Sequence, residues 1–374
     1  MALDQLSGRV LADDVTAQAD VPPFARAMMD GYAVHADDTT GATLDAPRSL
    51  TIIGRVFTGD VFDGRVSRGE AVEIATGAPL PGGATAVVMV EDTAPDATPD
   101  RVLVRATVTP GQHVGRAGAD IAANTVVLGA GDHLLPARVG VLAALGRTSA
   151  PVYARPRVAI VSTGNEVVPP GTPLRPGQIH DVNRATLCAV VEANGGEPVP
   201  IAVAADTLEA LNDALTQAAA CDAIVFSGGS SVGERDLLID LLHARGEVVF
   251  HGVATRPGKP TAFGRIDGTP VFGMPGNPTS CLTNAYVMLV PFLRTLAHLP
   301  PHRPHVVRVP LARRVTSAPD RTQFYTVRVV DGRAVPAFKA SGDITSMAHA
   351  DGYVEIAAEV TAVEAGTLVD VVLF

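Results

Sequence analysis

AIVFSGGSSVGERD, residues 223–236, is the stretch on which the reading of this chain turns. Its apolar, β-branched start (223–226) has the character of a buried strand. The glycines and serines that follow let the backbone turn tightly before a helix opens at 236. The same succession recurs in VAIVSTGN (158–165) and VFGMPGNP (271–278), with strands expected at 158–161 and 271–273. Between them the pattern predicts helices at 183–194, 207–219 and 236–244, a strand at 198–203, β structure near 248–263 and a long helix from Pro278. Apolar strands alternating with helices predict a parallel sheet covered on both faces, with ligands beyond the carboxyl ends of the strands. Ser162-Thr163-Gly164, Ser227-Gly228-Gly229 and Met274-Pro275-Gly276-Asn277-Pro278 all fall at that edge.

The flanks read differently. Residues 1–22 hold a short strand at 9–11, and short alternating runs at 50–56, 71–74, 86–90 and 102–108, separated by Gly, Pro, Asp and Thr, predict a β-rich domain. A helical pattern returns around 137–145, and a proline-rich link near 300 opens a last series of strands at 306–309, 324–330, 352–356 and 368–374. At 374 residues the chain exceeds one ordinary core, and 47% hydrophobic with 18% charged residues gives it ample surface to bury. The apolar stretch 280–299 carries Arg294 and Pro291, which marks a buried helix rather than a membrane span. No basic, then apolar leader opens the sequence, so a cytoplasmic protein is expected. Cys188, Cys221 and Cys281 lack metal or disulfide spacing and read as core residues. A net charge of −10 opposes nonspecific binding to nucleic acid or an anionic membrane, so neither partner is expected.

Local features must therefore carry any affinity for anions. In SGGSSVGERD, backbone N–H groups and hydroxyls ahead of a helix N-terminus form a plausible oxyanion cradle; the plainer reading is a strand-to-helix connection with a serine cap. Neither GxxxxGK[ST] nor GxGxxG is present. Asp236 suits a divalent cation bridging the same phosphates, or simply the positive end of a helix. Lys259 is one of only two lysines among 29 basic residues, and it stands in the rigid frame Pro257-Gly258-Lys259-Pro260 with Arg256 beside it. Two cations in a stiff loop suit a tetrahedral oxyanion or a phosphate. Pro275 to Pro278 aims another helix start at the same edge. The acids Asp30, Asp120, Glu166, Asp181, Asp206 and Asp236 are either metal or substrate ligands or ordinary surface carboxylates, and Asp30-Gly31 is also a hairpin signal. No triad or zinc spacing stands out. The residues point to a phosphate- or oxyanion-binding α/β enzyme with acidic metal ligands.

MDGYAV (29–34), IATGAPLP (74–81), GADI (118–121), STGNE (162–166), GQIHDVNR (177–184), SGGSSVGERD (227–236), RPGKPTAFG (256–264) and MPGNPTSC (274–281) run in order along the chain. Together they resemble the MoeA-type molybdopterin molybdenumtransferases, the family that includes the gephyrin E-domain. The resemblance implies a multidomain α/β plus β protein: an N-terminal/linker subdomain (1–22 and 122–154), a β-rich lid-like domain (23–121), a parallel-sheet molybdopterin-binding domain (155–300) and a C-terminal β-barrel (301–374). It implies a homodimer and a Mg²⁺-dependent reaction in which adenylylated molybdopterin and molybdate give molybdenum cofactor and AMP. Gly228, Gly229, Ser230 and Ser231 are implied to bind pterin phosphate or adenylate, and Asp236 and Glu166 to serve the metal or catalysis. Arg256, Lys259 and Ser231 are implied to hold molybdate, and Asp30, Thr76 and Asp120 to enter from the partner. Pro275, Asn277, Pro278, Asp181 and, more loosely, Asp206 complete the implied substrate site. A molybdopterin adenylyltransferase and recipient molybdoenzymes are the implied partners. The chain departs from the family pattern at Arg26-Ala27-Met28, at Ala119, in lacking the usual helix ahead of 8–11, and near Phe324-Tyr325-Thr326, where an arginine is absent and Arg321 or Arg328 could substitute. A molybdopterin adenylyltransferase or a non-catalytic molybdopterin-binding scaffold are the alternatives.

Overall fold

Apolar strands without polar alternation need cover on both faces, and the second half of the chain provides it. In the computed structural model, which describes residues 1–228 and 237–374, the chain divides into two units, Met1–Ser7 with Leu11–Val152 and Gly8–Val10 with Tyr153–Phe374. The second unit holds a six-stranded sheet of β1 (Arg157–Ser162), β2 (Glu197–Pro200), β3 (Ala223–Ser227), β4 (Gly246–His251), β5 (Ala262–Ile266) and β6 (Thr269–Met274), in the order β2-β1-β3-β6-β5-β4. The first four strands of that order are parallel, as expected. Of the last two only β5 is reversed: it runs antiparallel to both β6 and β4, so β4 keeps the direction of the first four. Asp267 and Gly268, with φ of 50° and 85°, make the two-residue turn between β5 and β6, and so tight a turn allows only antiparallel pairing.

Helices α1 (Val182–Ala193) and α4 (Pro278–Asn284) pack on one face, where Leu187, Val191, Phe272, Met274, Leu289 and Leu293 are buried together. Helices α2 (Leu208–Gln217) and α3 (Leu237–Arg245) cover the other around Phe226, Leu215 and Leu242. After α4 the chain continues through a π-helical turn, Ala285–Leu289, into a further helix, Val290–Leu296. The π turn lies just ahead of Pro291, which has no N–H to close an ordinary turn. Among the described residues no helix is long and apolar enough to cross a membrane. Cys221 and Cys281 are buried and Cys188 is half-buried.

Strands Val306–Pro310, Thr322–Val330, Arg333–Pro336, Gly352–Ile356 and Leu368–Leu373 form an antiparallel sheet. It closes into a barrel where Leu311 bridges Ala334 and Ala312 N–H donates to Ala334 O at 2.8 Å. Thr255–Arg256, in the connection between β4 and β5, pairs with Thr322 and Gln323 of this barrel.

The first unit is built on a second six-stranded sheet, in which Gly31–Val34 lies between Glu70–Ile74 and Ala86–Met89. Asp30-Gly31 is therefore not a hairpin turn. A Cβ on Gly31 would sit 1.9 Å from Val88 O, so only glycine lets the strands approach there. Two other expected strands are shorter than the sequence implies. Residues 9–11 contribute isolated bridging only, Leu11 with Val152. The strand expected at 102–108 ends at Val104, because Val108 N–H turns to the buried Thr39 hydroxyl at 2.9 Å.

Leu293, on the helix Val290–Leu296, is completely buried against the sheet. Leu293→Ala is expected to cost about 2–5 kcal/mol, read as a lower denaturant midpoint with an unchanged slope.

Candidate active site

Three strand ends are tied together before any ligand arrives. Ser162, the last residue of β1, donates its hydroxyl to Asp181 Oδ1 at 2.9 Å, and the same oxygen accepts Arg184 N–H at 3.0 Å, capping α1. Asp181 is 4% exposed, and Arg184 Nε lies 3.4 Å from its second oxygen. Asn183 Nδ2 donates to Ser227 Oγ and to Gly276 O, both at 2.7 Å, which joins the ends of β3 and β6 to α1. Gly228, at φ 99°, packs its α-carbon against the β1 loop, where a Cβ would lie 2.4 Å from Thr163 O.

These loops border a cleft of about 1570 Å³ at the carboxyl edge of the sheet. Of the candidate residues, Glu166, Asp181, Asp206, Gly228, Arg256, Lys259, Pro275, Asn277 and Pro278 line it. Gly229, Ser230, Ser231 and Asp236 lie outside the described residues. The remaining candidates belong to the first unit. There Asp30 Oδ1 accepts Thr76 N–H at 2.7 Å and the Thr76 hydroxyl at 2.9 Å. Those bonds, the backbone one foremost, hold the Asp30 carboxyl below its ordinary pKa. Asp120 is exposed, with its N–H on Val21 O.

Strand order sorts the cleft by charge. Asp206 and Glu166 follow β2 and β1, whereas Arg256 and Lys259 lie in the connection between β4 and β5, three to five strands further along the sheet order. At the acidic end Asp206 has its pKa raised, first by desolvation and then by the negative charge of Glu166; the Thr163 hydroxyl opposes this slightly without reaching normal hydrogen-bond geometry. Among the described residues no three His, Cys, Asp or Glu side chains are grouped to hold a metal. At the basic end, buried Asn284 fixes the loop by donating to Gly258 O at 2.8 Å and to the Thr261 hydroxyl. Lys259 O accepts Val253 N–H at 2.9 Å. The backbone is thus held while the Lys259 side chain faces solvent.

Sequence reasoning missed one wall. The barrel loop Phe338 to Ile344 lines the cleft with Lys339 and Ser341, joined by Arg321. It is docked by Asn277 Nδ2 to Ser341 Oγ (3.1 Å), Thr279 N–H to Ser341 O (3.0 Å) and the Thr279 hydroxyl to Asp343 O (2.8 Å). Of the two arginines expected to compensate near Thr326, Arg321 borders the cleft and Arg328 lies outside its lining. The signal that could have found this wall is the rarity of lysine, since Lys339 is the only other one.

The chain matches the MoeA N-terminal region (domains I and II) over residues 1–146, the probable molybdopterin binding domain over 159–295 and the MoeA C-terminal region (domain IV) over 300–374. It is 40% identical over 381 residues to molybdopterin molybdenumtransferase 2 of Mycobacterium tuberculosis, covering 99% of this chain and 93% of the relative. The chain belongs to the MoeA family. It is also similar to the molybdopterin molybdenumtransferase of Haemophilus influenzae, 33% identical over 87% of this chain and 80% of that one. Among solved structures, a molybdopterin biosynthesis MoeA protein from Pyrococcus horikoshii superposes with a TM-score of 0.87 at 40% identity, covering 100% of this chain and 93% of the other. The fold class inferred from sequence holds, and membership makes this chain a transferase of molybdenum cofactor biosynthesis.

The raised Asp206 pKa fixes the sign of one pH effect. Below the ordinary carboxylate range, near 4, folded and unfolded states are both protonated and Asp206 costs nothing. As pH rises through the folded value, the native state must give up a proton it binds more tightly than the unfolded chain does, and stability is lost. Asp206→Asn is therefore expected to raise the thermal midpoint at pH 8, with the gain shrinking as pH falls towards about 4; a pH-independent change would show that Asp206 carries no such penalty.

Proposed function

We propose that this chain inserts molybdate into adenylylated molybdopterin, releasing AMP and yielding molybdenum cofactor. The observation that carries this reading is a cleft lined both by Glu166 and Asp206 and, from a pinned loop, by Arg256 and Lys259. Bringing a tetrahedral oxyanion to a substrate that is itself anionic calls for cationic donors at the oxyanion. In this reading Gly228, with Gly229, Ser230 and Ser231, meets the phosphate groups of the nucleotide substrate through backbone N–H and hydroxyl donors. Pro275, Asn277 and Pro278 shape the floor. Asp181 acts from within the wall by holding Ser162 and Arg184 in place.

The pair of Glu166 and Asp206 fits a divalent cation, because burial and the charge of Glu166 raise the cost of ionising Asp206 and a cation offsets that cost. Glu166, Asp206 and Asp236 would hold Mg²⁺, which supplies charge neutralisation at phosphate oxygens and so makes AMP a better leaving group. Lys259 and Arg256 lower the cost of bringing molybdate beside the pterin dithiolene. The same reading makes the protein a homodimer in which Asp30, Thr76 and Asp120 of one subunit serve the cleft of the other.

AMP release from adenylylated molybdopterin, measured with and without molybdate and Mg²⁺, tests the reaction. Wild type should respond to both, and Lys259→Ala should lower the molybdate-dependent rate by about 10²–10³. Nucleotide binding without AMP release would leave a scaffold, and an ATP-dependent product would identify an adenylyltransferase. Mixing Asp30→Ala with Lys259→Ala subunits tests the shared site: each inactive alone, together they should recover roughly a quarter of wild-type activity through heterodimers with one intact site. Failure to recover while heterodimers form would place both residues in the same subunit's site.

A further inference from the structure

Lys339 has no role in the scheme above, yet it and Lys259 are the only lysines of the chain and both line one cleft. They come from different elements, Lys259 from the connection between β4 and β5 and Lys339 from the barrel. Thr326 O accepts both Ala337 N–H at 2.9 Å and Phe338 N–H at 3.2 Å, which folds the chain back at the end of the Arg333–Pro336 strand. Lys339 N–H then donates to Ser346 Oγ at 3.0 Å, fixing the backbone from which the side chain leaves. Its ammonium donates to Thr345 Oγ1 at 3.1 Å, which uses one of three protons.

Placement decides what the remaining donors serve. The loop docks on Asn277 and Thr279, just beyond β6, and Arg321, close in sequence to the strand that pairs with Thr255 and Arg256, lines the same wall. Lys339 therefore enters the cleft from the barrel side beyond β6, the strand next to β5 at which the Arg256–Lys259 connection ends. A second lysine on a hydrogen-bonded loop gives a tetrahedral dianion cationic partners on two elements, and an ammonium suits such a ligand because its donors turn freely.

We infer that Lys339 is a second oxyanion-binding residue, holding molybdate together with Lys259; this rests on the reaction proposed above. The competing role is structural, a tether of the loop to the short helix Thr345–Ala348. The two separate by experiment. Titration of the purified protein with tungstate, followed by calorimetry, reads oxyanion affinity without turnover, and steady-state AMP release gives the half-saturating molybdate concentration. Lys339→Met is expected to weaken tungstate binding and raise half-saturating molybdate about 10- to 100-fold, more than it lowers the maximal rate, while the Kd for AMP shifts less than about threefold. Lys339→Arg should restore most of the loss. Thr345→Val, which removes the tether and keeps the charge, should shift molybdate dependence far less than Lys339→Met does. The inference is overturned if Lys339→Met leaves tungstate affinity unchanged, if Thr345→Val reproduces its effect, or if wild type binds no tungstate. Lys339-dependent tungstate binding in a protein that releases no AMP would instead contradict the proposed reaction and leave the oxyanion site standing.

Discussion

The Asn183 side-chain amide, bonded at once to Ser227 Oγ and Gly276 O, is the contact on which the cleft depends. It ties the start of α1 to the ends of two parallel strands, and the neighbouring Asp181 ties the same helix start to β1 through Ser162. These buried bonds fix the relative positions of loops far apart in sequence. Loss of the amide would leave the Ser227 hydroxyl and the Gly276 carbonyl in the wall short of a partner, a cost of the order of 1–3 kcal/mol for each buried group left unpaired. The loops that carry ligand-binding groups are in this way supported by a layer that need not touch a ligand.

Charge separation along the sheet edge follows from strand order rather than from net charge. A chain of net charge −10 repels anions at long range, so an oxyanion must be drawn by groups within about a Debye length, ~8 Å at physiological ionic strength. In the proposed reaction Arg256 and Lys259 meet that demand, from a loop braced by Asn284, Thr261 and the pairing of Arg256 with Gln323. In the proposed reaction the carboxylates serve the metal and the cations the oxyanion. β4 runs in the direction of β6, so the connection that leaves it, with Arg256 and Lys259, emerges at this edge.

Much of this was legible in the sequence, for reasons that particular residues make plain. Uninterrupted apolar runs at 158–161 and 223–226 announce central parallel strands, and the glycine-bearing loops after them announce a ligand edge. Strand direction beyond 248 was not legible from apolar pattern, although Asp267-Gly268 was a hairpin signal in plain view. Asp30-Gly31 carried the same signal and is no hairpin, because close approach of Val88 O, and not a turn, demands that glycine. Residues 9–11 look like a strand because Val10 and Leu11 are apolar, but Leu11 is buried beside Leu6 and Leu142 and needs no ladder. Lys339 could not be placed from sequence, since its position rests on hydrogen bonds from Ala337 and Phe338 to Thr326 and on docking against Asn277, contacts between segments that only the folded barrel brings together.

The most direct test is to locate the oxyanion itself. Crystals of the protein grown with AMP and soaked in tungstate would give an anomalous tungsten signal whose position can be read without interpretation of the pterin. The account places that signal at the basic end of the cleft, within contact of the Lys259 side chain and between the β4–β5 connection and the barrel loop. A tungsten peak at the Glu166–Asp206 end, or AMP bound there with no tungsten in the cleft, would contradict it.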